Sequence, residues 1–221
     1  MAYIHYCSRK KENGFLFGPY DLEIIGIYLR SITLTRPGDE RPPVYVGYYG
    51  FEQKLTVEEM IQGFISVQDF CQYTMGIKAV HDIVDFYGKE TFDSYGYNHV
   101  IEIADLFARW YIKDGFCVVY AVHCIDEDKN NEKRWRVHYV VNPISFTTRK
   151  KYYVNDNIFK EQHAYLENMI QMVTWKTKWM KYNQSVELRE FPDVITYPLI
   201  PSYANYPAIS VPYDGKSRIM Y

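Results

Sequence analysis

Two apolar runs, FCVVYAVH over residues 116–123 and RVHYVVN over 136–142, constrain this chain more than any other feature. Each is rich in Val, Tyr and Phe and is bounded by polar turn residues, which predicts a strand. The linker between them, CIDEDKNNEKRW, is acidic and polar, so pairing of the runs makes a hairpin. The first run ends in His123 and the second carries His138. Paired, the two imidazoles stand near one end of a sheet, with Asp126, Glu127 and Asp128 close by. Two imidazoles and a carboxylate held on rigid strands are a candidate site for a divalent metal or a phosphate. Strand imidazoles are more often satisfied core or surface residues than ligands, so the rest of the chain must decide.

Residues 1–50 read as β-rich and loop-rich, broken at Gly14, Gly18-Pro19 and RPGDERPP (36–43), with a strand at Val44–Tyr49. A helix follows. Thr56 and Glu59 make a capping-box pattern, Leu55 can staple onto Met60, and Gly76 can close the end. Val57, Met60, Ile61, Phe64, Val67 and Cys71 keep helical spacing. A strand at Ala79–Phe86 contains His81. A second helix spans Asn98–Lys113, with Asn98 as cap and Gly115 as stop, and a third runs from Asn155 or Asp156 to Lys181. Its buried stripe is Ile158, Tyr165, Leu166, Met169, Ile170 and Val173. From residue 184 onward Pro192, Pro198, Pro201, Pro207 and Pro212 interleave with tyrosines and no periodicity survives. The expected organisation is one α+β domain over 1–183 and an extended tail over 184–221 that packs on the domain or on a partner. The fold predicted is a largely antiparallel sheet of about five strands with helices mostly on one face.

With 25 Lys+Arg against 27 Asp+Glu, the chain has no global basic field, so any nucleic-acid contact must come from a local patch. Arg149-Lys150-Lys151 is the local basic run, although such a turn is commonly just solvated. The 23 tyrosines suit strands and can stack on bases, with an aromatic core as the plainer explanation for most of them. Cys7, Cys71, Cys117 and Cys124 lack the spacing of a zinc cluster and read as free thiols. With no visible secretory or membrane-spanning segment, a cytoplasmic protein is expected.

Several segments together resemble the relaxase (mobilisation nuclease) family of conjugative and mobilisable elements. GIKAVHDIVDFYGKETF looks like its histidine-bearing strand and Gly-Glu turn, IEIADLFARWYI sits where its next helix lies, and CVVYAVHCID is similar to its strand ending in Thr-His-x-Asp. HYVVNPISFTTRKKYY, the most specific, looks like its His-hydrophobic-Val-Val-Asn run ending in Gly-Lys-Lys-Tyr. IHYCSRKKENG is similar to its N-terminal tyrosine stretch, and VGYYGFEQKLTVEEM to the segment entering its first helix. The resemblance covers about two thirds of the chain, with gaps over 15–45.

The resemblance implies an enzyme that nicks one DNA strand. A tyrosine hydroxyl attacks a phosphodiester and stays attached to the new 5′ phosphate, while a divalent metal such as Mn2+ or Mg2+, held by histidines, polarises that phosphate. It further implies an origin of transfer as substrate and accessory mobilisation proteins as partners. Carried over, His138 and His123 are metal ligands with Asp126 near the acidic position, and His81 orients the phosphate. Tyr6 is the nucleophile, with Tyr3, Tyr20 and Tyr28 as rivals. Arg134, Asn142, Arg149, Lys150 and Lys151 would contact DNA. His5, His99 and His163 are left to surface or capping roles.

One departure matters. The family's second ligand, two residues before His138, is here Arg136. Arginine is permanently charged and cannot ligate a cation, though its guanidinium can bind a phosphate bidentately. A plainer role is a cross-strand ion pair with Glu132 or Asp128. Three readings follow: a relaxase-like nickase, a degenerate relaxase fold that binds DNA or protein without cutting, and a metal-dependent nuclease without a covalent intermediate.

Overall fold

The computed structural model describes residues 2–6, 21–33, 43–51, 55–86, 96–125 and 134–185, in which strands and helices alternate until two successive strands precede the last helix. The elements are β1 (Ala2–Tyr6), α1 (Glu23–Thr33), β2 (Tyr45–Tyr49), α2 (Val57–Phe70), β3 (Val80–Phe86), α3 (Tyr97–Ile112), β4 (Val118–Ile125), β5 (Arg134–Val141) and α4 (Asp156–Ser185). The strands form one open antiparallel sheet in the order β1-β3-β5-β4-β2. The predicted hairpin is β4 with β5, in a register that sets Val118 opposite Val141 and His123 opposite Arg136.

The apolar runs are continuous because both faces of this sheet are covered. Val118, Tyr120 and Val122 face one core with Phe107 and Tyr111 of α3 and Leu166 and Val173 of α4. Val119 and Ala121 alternate to the other core, with Ile25 and Leu29 of α1 and Met60 and Phe64 of α2. The helices thus divide two and two, which corrects the expectation of helices mostly on one face. That expectation failed with the missed α1. Ile24, Ile25, Tyr28, Leu29 and Ile32 are buried at helical spacing, but four isoleucines and Gly26 lower helix propensity and gave the segment a strand-like look.

The α2 start is as read. Thr56 Oγ1 accepts from the Glu59 amide and the Glu59 carboxylate accepts from the Thr56 amide. The helix stops at Phe70 rather than reaching Gly76, because Gln72 takes a positive φ of 53°. In α3 the cap position is Gly96 and not Asn98, while Gly115 follows the helix at φ 78°. Asn155 Oδ1 accepts from the Ile158 amide and opens α4. From its stripe Leu166 and Val173 are buried, with Gln162 also enclosed. His99 Nε2 lies 2.7 Å from Thr177 Oγ1 and joins α3 to α4, and His163 packs on Phe159. Cys71, Cys117 and Cys124 are free thiols. No helix among the described residues is long and apolar enough to cross a membrane. Asp126, the rest of the β4–β5 linker and the tail from residue 186 lie outside the described residues.

Candidate active site

Strand alternation gathers the chemistry. Successive side chains of a strand point to opposite faces, so His81, Ile83 and Asp85 share one face of β3, and Arg134, Arg136 and His138 share one face of β5. The registers Ile83↔His138, Asp85↔Arg136 and His123↔Arg136 bring these sets together on the α1–α2 side. His81 Nε2 lies 2.9 Å from His138 Nδ1. The His123 ring stands edge-on to His138 with centroids 5.2 Å apart. Above them, α1 sets the Tyr28 ring 5.0 Å from that of His81, and the Ile32 carbonyl 3.1 Å from His123 Nε2. His81, His123 and His138 thus meet on one face, with His81 buried and the other two half-buried.

Arg136 is bound rather than idle. Its Nε donates to Asp85 Oδ1 at 2.6 Å and its terminal nitrogen to Oδ2 at 3.0 Å, a bidentate pair in which the Asp85 side chain is only 3% exposed. Arg134 Nε stands 4.0 Å from the same carboxylate. An ion pair is the kind of contact expected; the partner observed is Asp85, while Glu132 and Asp128 lie outside the described residues. Only with β3 placed beside β5 in the register Ile83↔His138 does HDIVD bring its second aspartate beside the arginine.

This arrangement does not fit a divalent ion as it stands. Among the described residues no group of three His, Cys, Asp or Glu side chains is placed to hold a metal. A ligating imidazole must offer a lone pair, and here the bond between His81 and His138 takes up the lone pair of whichever ring accepts, while a guanidinium occupies the neighbouring position.

The remaining candidates separate. Asn142 is fully buried, donates to the Phe64 carbonyl at 3.0 Å and accepts from the Ile144 amide at 3.4 Å. Its assignment to DNA contact is therefore corrected: it ties the end of β5 to α2. Arg149, Lys150 and Lys151 are exposed, but they lie beyond Val141, about 17 Å along β5 from Arg136 at the usual strand rise. The cations assigned to DNA contact therefore fall into two groups, Arg134 toward one end of β5 and Arg149, Lys150 and Lys151 beyond the other. In the β1–β3 ladder Tyr6 stands opposite Asp82 and Tyr3 opposite Asp85.

Sequence reasoning missed a second polar cluster, on the α3–α4 face. Asp82 is fully buried and its Oδ2 accepts from Tyr111 at 2.8 Å and Tyr152 at 3.4 Å. Gln162 donates to both hydroxyls. Burial pushes the Asp82 carboxyl up to about 7, with the bonds from Tyr111, Tyr152 and Gln162 pulling back only in part.

Comparison with known proteins gives one family. The family model described as "Relaxase: MobA/VirD2-like, nuclease domain" matches residues 43–175. No curated protein and no solved structure matches.

Proposed function

Because the chain belongs to the MobA/VirD2-like relaxase nuclease family, we propose that it nicks single-stranded DNA at an origin of transfer during mobilisation of a plasmid or transposon. The observation that carries this reading is the convergence of His81, His123 and His138 beside Arg136 on one face of three adjacent strands. A tyrosine oxygen attacks phosphorus, the P–O3′ bond breaks, and the phosphate stays on the tyrosine as a 5′ ester. The phenol proton passes to an imidazole of the His81–His138 pair and leaves with the 3′ oxygen. Arg136 and Arg134 meet the negative charge that develops on the phosphate. The nucleophile carried over from the family is Tyr6. Tyr28 is the rival, because its ring stands against His81. Domains of this family generally work with a divalent cation, and Mn2+ or Mg2+ binding here would require the His81–His138 bond to open. We place this activity in the cytoplasm, in company with accessory mobilisation proteins.

The second reading, a relaxase fold that binds DNA or protein without cutting it, is favoured by the Arg136–Asp85 pair. That pair commits the family's ligand position to an ion pair. Incubating the full chain with a pool of labelled single-stranded oligonucleotides, with and without Mn2+ or Mg2+, followed by a denaturing gel, separates the two. A heat-stable protein–DNA adduct, lost in Tyr6→Phe, supports nicking through Tyr6. An adduct that survives Tyr6→Phe and maps to Tyr28 moves the nucleophile. Strand binding without any adduct transfers the assignment to the binding module.

A further inference from the structure

Where α2 ends, the molecule exposes aromatic rings beside cations. Phe70, the last residue of α2, is 65% exposed, and Tyr153, two residues after Lys151 in the chain, is 69% exposed, both large for aromatic side chains. Arg149 stands over the Phe70 ring with its guanidinium carbon 5.2 Å from the centroid, and Lys151 stands 5.3 Å over that of Tyr73. These contacts orient each charge without covering the far side of Phe70.

A solvated turn would leave its cations on mobile backbone, but this one is tied down. The Ser145 hydroxyl donates to the Asp114 carbonyl at 2.7 Å and accepts from the Thr148 amide at 3.0 Å. The Arg149 amide donates to the Ser145 carbonyl and the Ser145 amide to the Lys150 carbonyl, both at 2.9 Å. Ile144 bridges to Lys151. The Cys71 thiol, next to Phe70, approaches the Ser145 carbonyl at 3.7 Å and links α2 to the turn. Arg149 itself takes φ 57°, a left-handed conformation that a non-glycine residue holds only where its surroundings enforce it.

We infer that Phe70 and Tyr153, with Arg149, Lys150 and Lys151, form a stacking platform for an unpaired nucleic-acid strand, bases on the rings and phosphates on the cations. Charge selects this occupant: a polyanion matches three adjacent exposed cations in a chain whose net charge is −2. Charge also sets the path. Tyr73 also borders a pocket lined by Asp21, Glu23 and Asp69 with Lys78, whose net negative charge disfavours a phosphate backbone and favours the 149–151 run instead. Because every base has a π face, the platform reads little sequence and serves to hold a strand extending from the His81 end of the sheet. The inference rests on the strand-nicking reading for its ligand, but not on chemistry at the histidines.

The test is fluorescence anisotropy of the full chain with labelled dT30, a random single-stranded 30-mer pool and the same length as duplex, over a salt series. Phe70→Ala/Tyr153→Ala should weaken single-strand binding about 25-fold or more, at about fivefold per stacked base, with the salt slope unchanged. Arg149→Ala/Lys151→Ala should lower the slope by roughly 0.7 for each lost phosphate contact. Both pairs are exposed, so thermal melts of the variants should match the wild type. Wild-type binding with the aromatic double variant within twofold overturns the platform and leaves strand binding standing. Preference for duplex over single strand also overturns it. Absence of any single-strand binding by the wild type overturns both.

Discussion

The Nε2 atom of His81 and the Nδ1 atom of His138 lie 2.9 Å apart across neighbouring strands, so one imidazole donates to the other. Of the two nitrogens, one holds the proton and the other supplies the lone pair. The bond makes the pair a ready acceptor and donor of one further proton, and it competes directly with metal coordination.

The Arg136 guanidinium, opposite His123 and two residues from His138, repels a cation electrostatically. Arg136→His should therefore raise affinity for Mn2+ at least tenfold over the wild type in calorimetric titration, and adding His138→Ala should remove the gain. Equal binding by wild type and Arg136→His would mean that the guanidinium is not the barrier.

Arg136 also neutralises a carboxylate that is almost fully enclosed. Arg136→Ala leaves the buried Asp85 carboxylate without its bidentate partner, with Arg134 standing off at 4.0 Å. The expected loss is on the order of 3 kcal/mol in urea denaturation. Arg136→Gln/Asp85→Asn should lose clearly less than the sum of the two single changes, since the buried charge goes with its partner. Simple additivity would mean that the pair is not coupled.

Asp82 gives a pH dependence of unusual sign. Its folded pKa, about 7, lies above that of an exposed aspartate. Between about pH 4 and 7 the folded state holds a proton that the unfolded chain has released, so stability from this group is whole below that range and is lost as pH rises through it. Asp82→Asn should match the wild type near pH 4 and exceed it by about 2–4 kcal/mol at pH 8. A difference that stays constant from pH 4 to 8 would falsify the raised pKa.

Gly47 in β2 marks a contact that admits no side chain. A Cβ there would run into the Tyr120 ring, which is held by a 2.7 Å bond to Asp105 and stacked between Tyr49 and Tyr139. Gly47→Ala should cost about 1–3 kcal/mol, seen as a lower melting temperature, and Tyr120→Leu in the same background should return part of it. An unchanged melt would show that the aromatic stack yields.

How far the sequence carried depended on whether a signal was local. Thr56 with Glu59 marks its own helix start, and the Val-rich runs around His123 and His138 carry their own hairpin. The fate of Arg136 needed β3 to be placed beside β5, and nothing within RVHYVVN names Asp85. Asn142 shows the converse: its place after the metal strand suggested DNA, whereas burial against Phe64 gives it a structural task. The α1 helix escaped because its periodicity was written in β-branched residues.

The order β1-β3-β5-β4-β2 has a consequence for synthesis on the ribosome. When residue 125 has emerged, β1 has β3 to pair with and β2 has β4, but no ladder joins these two halves. β5 supplies both missing ladders at once. A nascent chain halted before residue 134 thus holds two separate ribbons with open edges, the species most prone to misassociate. Among the described strands, the last one made is the one whose absence leaves the sheet in two halves.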